Sequence, residues 1–196
     1  MRVTGGRLGG RRLRAPSGLT TRPSADRVRQ ALFNILPAPP PGWRVLDLYA
    51  GSGALGIEAL SRGADHATFV EQDAHAAAVL RRNLHELGLT GQARLIVAPV
   101  ERALSRLGGP FGWVFADPPY LGGLLGPLLE RLGAPGNGLL RDDSVVVVEH
   151  PGHSGAPVLH EMCGVLCLRD RRCYGQTALS FYVPVPARPA PDNEDP

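Results

Sequence analysis

Arg44-Val45-Leu46-Asp47-Leu48-Tyr49-Ala50-Gly51-Ser52-Gly53-Ala54-Leu55-Gly56 is the stretch on which the reading of this chain turns. Val45, Leu46 and Leu48 make a short apolar run, which reads as a buried strand. Tyr49 to Gly53 supplies a tight turn, and Ala54 to Ser61 has helical composition. Glycines at 51 and 53 let the backbone turn sharply and approach a ligand closely. The free N–H groups that open the following helix face that ligand. The unit is a strand–loop–helix pocket for a small molecule with a nucleoside part.

The glycines spell two different ligands. Gly51, Gly53 and Gly56 match G-x-G-x-x-G, and Glu71 follows about twenty residues on, as a dinucleotide fingerprint has it. Asp47 argues against a dinucleotide. It ends the strand just before the loop, where a pyrophosphate would otherwise lie on the helix N-terminus. A carboxylate repels phosphate there and suits an ammonium group. S-adenosylmethionine carries an amino group, a sulfonium and no phosphate, so D-x-x-x-G-x-G favours a methyl donor over NAD. Leu48, Tyr49, Ala50 and Ser52 fill out the loop that would hold it.

A second stretch, Phe111 to Tyr120 (FGWVFADPPY), reads as another buried strand ending in Asp117-Pro118-Pro119-Tyr120. Two prolines have no N–H donors and a fixed φ, so the loop offers carbonyl oxygens and one carboxylate. An exocyclic amine on a base is a poor nucleophile, because its lone pair is delocalised into the ring. Acceptance of both its hydrogens by Asp117 and the Pro118 carbonyl favours a pyramidal nitrogen aimed at the methyl group. Tyr120 offers a face for a splayed-out base. A lone D-P-P-Y is an ordinary strand-ending turn; about seventy residues after D-x-x-x-G-x-G it reads as a catalytic loop.

Four blocks then carry a resemblance: Thr21 to Leu36 (TRPSADRVRQALFNIL), Val45 to Ala64 (VLDLYAGSGALGIEALSRGA), Ala116 to Tyr120 (ADPPY) and Tyr174 to Tyr182 (YGQTALSFY). The chain resembles the bacterial 16S rRNA guanine-N2 methyltransferases of the guanine(966) type. The second and third blocks are shared with other amino-methyltransferases, and the first is the most family-specific. The resemblance implies a class I S-adenosylmethionine-dependent methyltransferase: an α/β, Rossmann-like fold with a seven-stranded, mostly parallel sheet and a small basic N-terminal arm and helix. It implies methyl transfer to guanine N2 in 16S rRNA, within a partly or fully assembled small subunit. A DNA adenine-N6 or cytosine-N4 methyltransferase, an NAD-dependent oxidoreductase and a non-catalytic RNA-binding assembly factor are the competing readings.

A chain of 196 residues, 43% hydrophobic and 20% charged, has room for one good core. No apolar run reaches the length of a membrane span, and the arginine-rich start lacks a signal peptide's apolar centre. A cytoplasmic monomer is expected, with no metal. Every one of the 21 basic residues is arginine. Residues 1–30 hold eight of them against Asp26 alone, net +7, on a chain of net +3. A basic arm on a mildly acidic domain suits a polyanion, and equally a solvated terminus.

The expected organisation is an RNA-binding extension over 1–36, a methyltransferase domain over 37–183, and a disordered proline-rich tail over 184–196. The arm's paired glycines suit a small hairpin around Leu8, and Arg7, Arg11, Arg12 and Arg22 are its phosphate contacts. Ser24 is the N-cap of an amphipathic helix to Leu36. Arg27 and Arg29 lie off its apolar stripe, to meet RNA or to cover the donor site.

Glu71, ending a second strand with Gln72 beside it, suits the two ribose hydroxyls. Asp73 is a rival, or the N-cap of the helix Ala74 to Leu87. The third strand, Arg94 to Val97, lacks the acid that commonly follows to accept from the adenine amine, and Glu101 comes late. Backbone at Pro99 and Val100 would frame the adenine instead. A helix is expected over Gly122 to Leu132, strands over Ser144 to Val148 and Gly164 to Leu168, and a basic turn before a last strand through Val183. His150 reads as a structural hydrogen-bonder. Cys163, Cys167 and Cys173 match no zinc spacing and read as buried free thiols.

Overall fold

The strands before and after Asp47 set the architecture. In a computed structural model, which describes residues 1–16, 23–119, 123–152 and 159–185, β1 (Arg44–Leu48) lies at the centre of a sheet. The other strands are β2 (His66–Glu71), β3 (Ala93–Val97), β4 (Phe111–Ala116), β5 (Leu140–Pro151), β6 (Met162–Cys163), β7 (Leu166–Tyr174) and β8 (Thr177–Pro184), in the order β3-β2-β1-β4-β5-β8-β7-β6. The first five run parallel, and β8 reverses against β5. The order switches between β1 and β4, and at such a switch the strands' carboxyl ends leave a crevice for a ligand.

Side chains alternate across the sheet with period two, which supplies two cores. Val45, Phe69, Trp113, Phe115 and Val147 face α1 (Pro23–Ile35), α2 (Ala54–Ser61) and α3 (Ala74–Glu86). Leu46, Leu48, Val114, Val146 and Val148 face α4 (Val100–Leu104) and α5 (Leu125–Leu132). Both faces of the parallel strands are covered, so they read as continuous apolar runs. Among the described residues, no helix is long and apolar enough to cross a membrane.

The structure corrects the sequence reading in several places. The sheet has eight strands, not seven, because the short β6 pairs antiparallel with β7 at the edge. Arg169, Arg171 and Arg172 lie within β7, so the turn is Gly175-Gln176, with Gly175 at φ +63°. Helix α5 starts at Leu125, and α1 starts at Pro23, before the expected Ser24 cap. A proline opening a helix has its φ already set and no N–H to leave unpaired. Only Cys163 is buried; Cys167 is half-buried and Cys173 exposed, all as free thiols. Pro184 closes β8, and Val185 donates to the Val165 carbonyl (2.7 Å), so the chain stays ordered past the expected start of the tail. The tail from 186 on lies outside the described residues.

The N-terminal arm shares the core. Arg2 and Arg12 form an antiparallel bridge, and the chain reverses through a 3-10 turn at Gly6–Leu8. Val3 and Leu13 are buried with the residues of α1, α2 and α3. Gly6 sits at φ +71°, and a Cβ there would come within 2.0 Å of the Ser61 carbonyl oxygen, so only glycine allows the arm to lie this close to α2.

The attachment centres on Glu58, a fully buried carboxylate in α2. It accepts from the Thr4 amide (2.6 Å), the Thr4 hydroxyl (2.7 Å) and Arg62 Nε (2.9 Å), with Arg29 Nε at 3.6 Å. A buried charge needs such partners, because desolvation would otherwise neutralise it.

Candidate active site

At the carboxyl ends of β1, β2, β4 and β5 lies a cavity of about 810 Å³. Asp47, Tyr49, Ala50, Gly51, Ser52, Glu71 and Gln72, expected for the donor, line it together with Asp117, Pro118 and Pro119. Sequence positions far apart meet here because β1 pairs with both β2 and β4, with Leu48 opposite Val70 on one side and Ala116 on the other. Tyr120 lies outside the described residues.

The glycine loop is held by its own acids. Asp47 Oδ2 accepts from the Gly56 amide (2.8 Å), which ties the end of β1 to the first turn of α2. Gly51 and Gly53 take φ of +54° and +80°. A Cβ on Gly56 would stand 2.3 Å from the Phe69 ring and 3.1 Å from Asp47 Oδ2, so this third glycine permits the close packing of helix on strand. Glu71 accepts from the Gly51 amide (2.7 Å) and, through its other oxygen, from the Asp73 amide (2.7 Å). Asp73 caps α3 by accepting from Ala76 N (2.7 Å), the capping role its position suggested.

The cavity is acidic. Asp47, Glu71, Asp73, Asp117 and Glu149 all contribute to its wall. Burial pushes the Asp47 carboxyl up to about 8, opposed by the Gly56 amide and reinforced by the charges of Asp117 and Glu71. Asp117 keeps contact with water through the cavity mouth, yet the surrounding walls desolvate its carboxyl and push it up to about 6. Crowded carboxylates that resist ionisation favour a cationic ligand, which restores their charge by pairing with it. S-adenosylmethionine, with an ammonium and a sulfonium, fits that donor set; a pyrophosphate does not.

Other expected residues fall elsewhere. Leu48 is buried in the core, Gly53 serves as the left-handed N-cap of α2, Pro99 is exposed and Val100 packs under the sheet; none of the four lines the cavity. Tyr49 is held at φ +57°, and its hydroxyl, raised to about 12 by burial and then by the charge of Glu101, marks the side of the cavity toward α4.

Among the arginines assigned to RNA, Arg7, Arg11, Arg12 and Arg27 are exposed, and Arg22 lies outside the described residues. Arg7 reaches Gln92, and Arg11 reaches the Glu86 carbonyl (3.4 Å). Glu86 ends α3 about 15 Å by helical rise from Ala76 on the cavity wall, and Gln92 lies beyond it. Arg29, for which contact with RNA or cover of the donor site was open, is 5% exposed and lies in the cavity wall, which removes the first role and leaves the second.

Sequence reasoning missed the inner wall formed by Met1, Val28, Leu32, His75, Glu149 and Leu179. It also missed Asn83, buried in α3, which bonds both Arg14 backbone groups and the Ser52 carbonyl (2.9 Å) and so braces the glycine loop against the arm. One available signal was Glu58, a lone acid in the apolar run of α2, which points to a buried partner. His150 is the structural histidine expected, fully buried between the Pro151 carbonyl (2.8 Å) and the Ser180 hydroxyl (2.9 Å). Among the described residues, no cluster of His, Cys, Asp or Glu is arranged to hold a metal.

The strand order, the glycine loop at the switch point and the reversed β8 define a class I methyltransferase fold. The C-terminal domain of precorrin-6Y C5,15-methyltransferase from Rhodobacter capsulatus shares it at TM-score 0.61 and 20% identity, over 87% of this chain and 94% of that one. The family model described as conserved hypothetical protein 95 matches residues 1–183, and the chain belongs to that family. Ribosomal RNA small subunit methyltransferase D of Escherichia coli (strain K12) is 40% identical over 182 residues, covering 93% of this chain and 89% of that protein. The solved structure of yhhF from Escherichia coli superimposes at TM-score 0.78 with 35% identity, over 94% and 97% of the two chains.

Proposed function

We propose that this chain transfers a methyl group from S-adenosylmethionine to the exocyclic N2 of a guanine in 16S rRNA, the guanine(966) type of reaction. The observation that carries this reading is the acid-lined cavity in which the glycine loop and Asp117-Pro118-Pro119 share one wall, in a chain of this family. Asp47 pairs with the donor's ammonium group, and Glu71 with Gln72 takes the ribose. Asp117 and the Pro118 carbonyl accept the two hydrogens of the target amine, and Tyr120 stacks on the base. The donor supplies an electrophilic methyl group on a sulfonium whose sulfur keeps the bonding pair. The protein contributes positioning and the removal of water, and Asp117 can take the proton the amine loses.

The exposed arginines Arg7, Arg11, Arg12 and Arg27, with Arg22, contact phosphates, and the substrate is 16S rRNA within a partly or fully assembled small subunit in the cytoplasm. Labelled methyl transfer to naked 16S rRNA and to partly assembled subunits, followed by nucleoside digestion, tests the reading. Label in N2-methylguanosine is expected. Label in methyladenosine or methylcytidine would overturn the substrate while keeping the chemistry. Asp117→Ala should abolish turnover while donor binding is largely kept, and a loss of donor binding would reassign Asp117.

A further inference from the structure

The donor proposed above is a zwitterion in its amino-acid part, and Asp47 answers only its positive end. An acidic cavity is hostile to the donor's carboxylate, so a cation or a set of free amides must face it. The glycine loop offers few amides: Gly51 N donates to Glu71 and Gly53 N donates to the Ala50 carbonyl (2.7 Å). The cavity wall does contain one guanidinium among the described residues, that of Arg29. It comes from α1, the most family-specific block of the sequence and the one assigned to RNA.

Arg29 is built into place. Its Nη2 donates to Asp26 Oδ1 (3.0 Å) and to the Arg2 carbonyl. Its Nε stands 3.6 Å from Glu58 Oε2, an ion-pair distance, and has no hydrogen-bond partner among the described residues although it is buried. A guanidinium presents five donors in a fixed fork suited to a carboxylate; Nε faces Glu58 and Nη2 faces Asp26 and the Arg2 carbonyl, which fixes the fork where the side chain forms part of the cavity wall. The neighbouring wall is Met1, Val28 and Leu32, apolar surface suited to the methylene groups beside that carboxylate. With Glu71 and Gln72 at the ribose and Asp117 at the amine, the side left for the amino-acid end is the one Asp47, the glycine loop and α1 form.

We infer that Arg29 is a donor-binding residue that pairs with the carboxylate of S-adenosylmethionine, so that Asp47 and Arg29 bracket the two charges of its amino-acid end. This rests on the donor assignment of the preceding section. The N-terminal block then acts on the methyl donor as well as on RNA, and its register is set from inside the domain by Glu58.

Calorimetric binding of S-adenosylhomocysteine and of its decarboxylated analogue, which lacks only that carboxylate, tests the inference without turnover. The native chain should prefer the carboxylate form by about 10- to 100-fold, the range for a charge-assisted hydrogen bond. Arg29→Gln should bring the two ligands to within about threefold, and Arg29→Lys should keep part of the preference. Arg62→Gln, which weakens the same Glu58 network away from the cavity, should cost stability and keep the preference. Equal binding of the two ligands by the native chain overturns the inference, and so does a preference that survives in a folded Arg29→Gln. If Arg29→Gln does not fold, Arg29→Lys serves in its place, and a preference that it keeps in full overturns the inference. Failure of the native chain to bind S-adenosylhomocysteine at all would overturn the donor assignment itself.

Discussion

Removing the Glu58 carboxylate should be among the most destabilising single changes available in this chain. Glu58→Ala leaves the Thr4 amide and hydroxyl without their acceptor and strips Arg62 and Arg29 of their shared anion, around a carboxylate that is itself fully buried. Three lost hydrogen bonds are worth about 3 kcal/mol at roughly 1 kcal/mol each. Breaking a buried ion pair from one side costs about 3–5 kcal/mol, because the partner charge stays behind. Both routes reach about the same size. In a chain of this length each kcal/mol lowers Tm by about 2–4 °C, so a fall of roughly 6–20 °C is expected.

Circular dichroism melts read that fall directly. Trypsin should also cut at Arg7, Arg11 and Arg12 faster in Glu58→Ala than in the native chain, because Thr4 is the arm's anchor on α2. Donor affinity should drop as well, since Met1 and Arg29 lose their support in the cavity wall. A Tm within about 2 °C of the native value, with unchanged cleavage, would refute the claim that Glu58 holds the arm.

Three further outcomes are expected. Gly56→Ala drives a methyl into the Phe69 ring at 2.3 Å, so it should cost about 1–3 kcal/mol in urea unfolding and weaken donor binding through the displaced Asp47; native stability and affinity would refute the packing role of this glycine. With donor saturating, so that Asp47 is paired, the single-turnover rate should fall as pH drops through about 6, where the raised Asp117 carboxyl takes up its proton; a rate flat from pH 5 to 8 would exclude Asp117 as the acceptor. Burial lowers the His150 imidazole below its unfolded value near ~6.5, so the stability gained from keeping it neutral is complete above that pH and is lost as pH falls below it. Urea midpoints should therefore decline more steeply below about pH 6.5 in the native chain than in His150→Gln, and parallel declines would remove His150 from the acid limb.

What local sequence determined is visible in the elements built from nearest neighbours. The apolar run at 45–48, the glycines at 51 and 53, and the prolines at 118 and 119 each restrict the backbone on their own, so the strand–loop–helix pocket and the loop at the end of β4 were legible before any packing was known. Asp47 could be assigned a cationic partner because its position at a strand end follows from those same few residues. Tertiary structure decided the rest. Arginines on the same arm look alike in sequence, yet Arg11 stays on the surface while Arg29 enters the cavity wall, because Glu58 on another helix offers one of them a buried anion. Strand β6 exists only because β7 is there to pair with it, and two residues carry no pattern of their own. Pro99 and Val100 miss the cavity for a related reason: the chain leaves β3 directly into α4, and the adjacent wall is taken by Tyr49. Burial, charge pairing and strand neighbours are properties of residues far apart in the chain, and only the packed sheet brings them together.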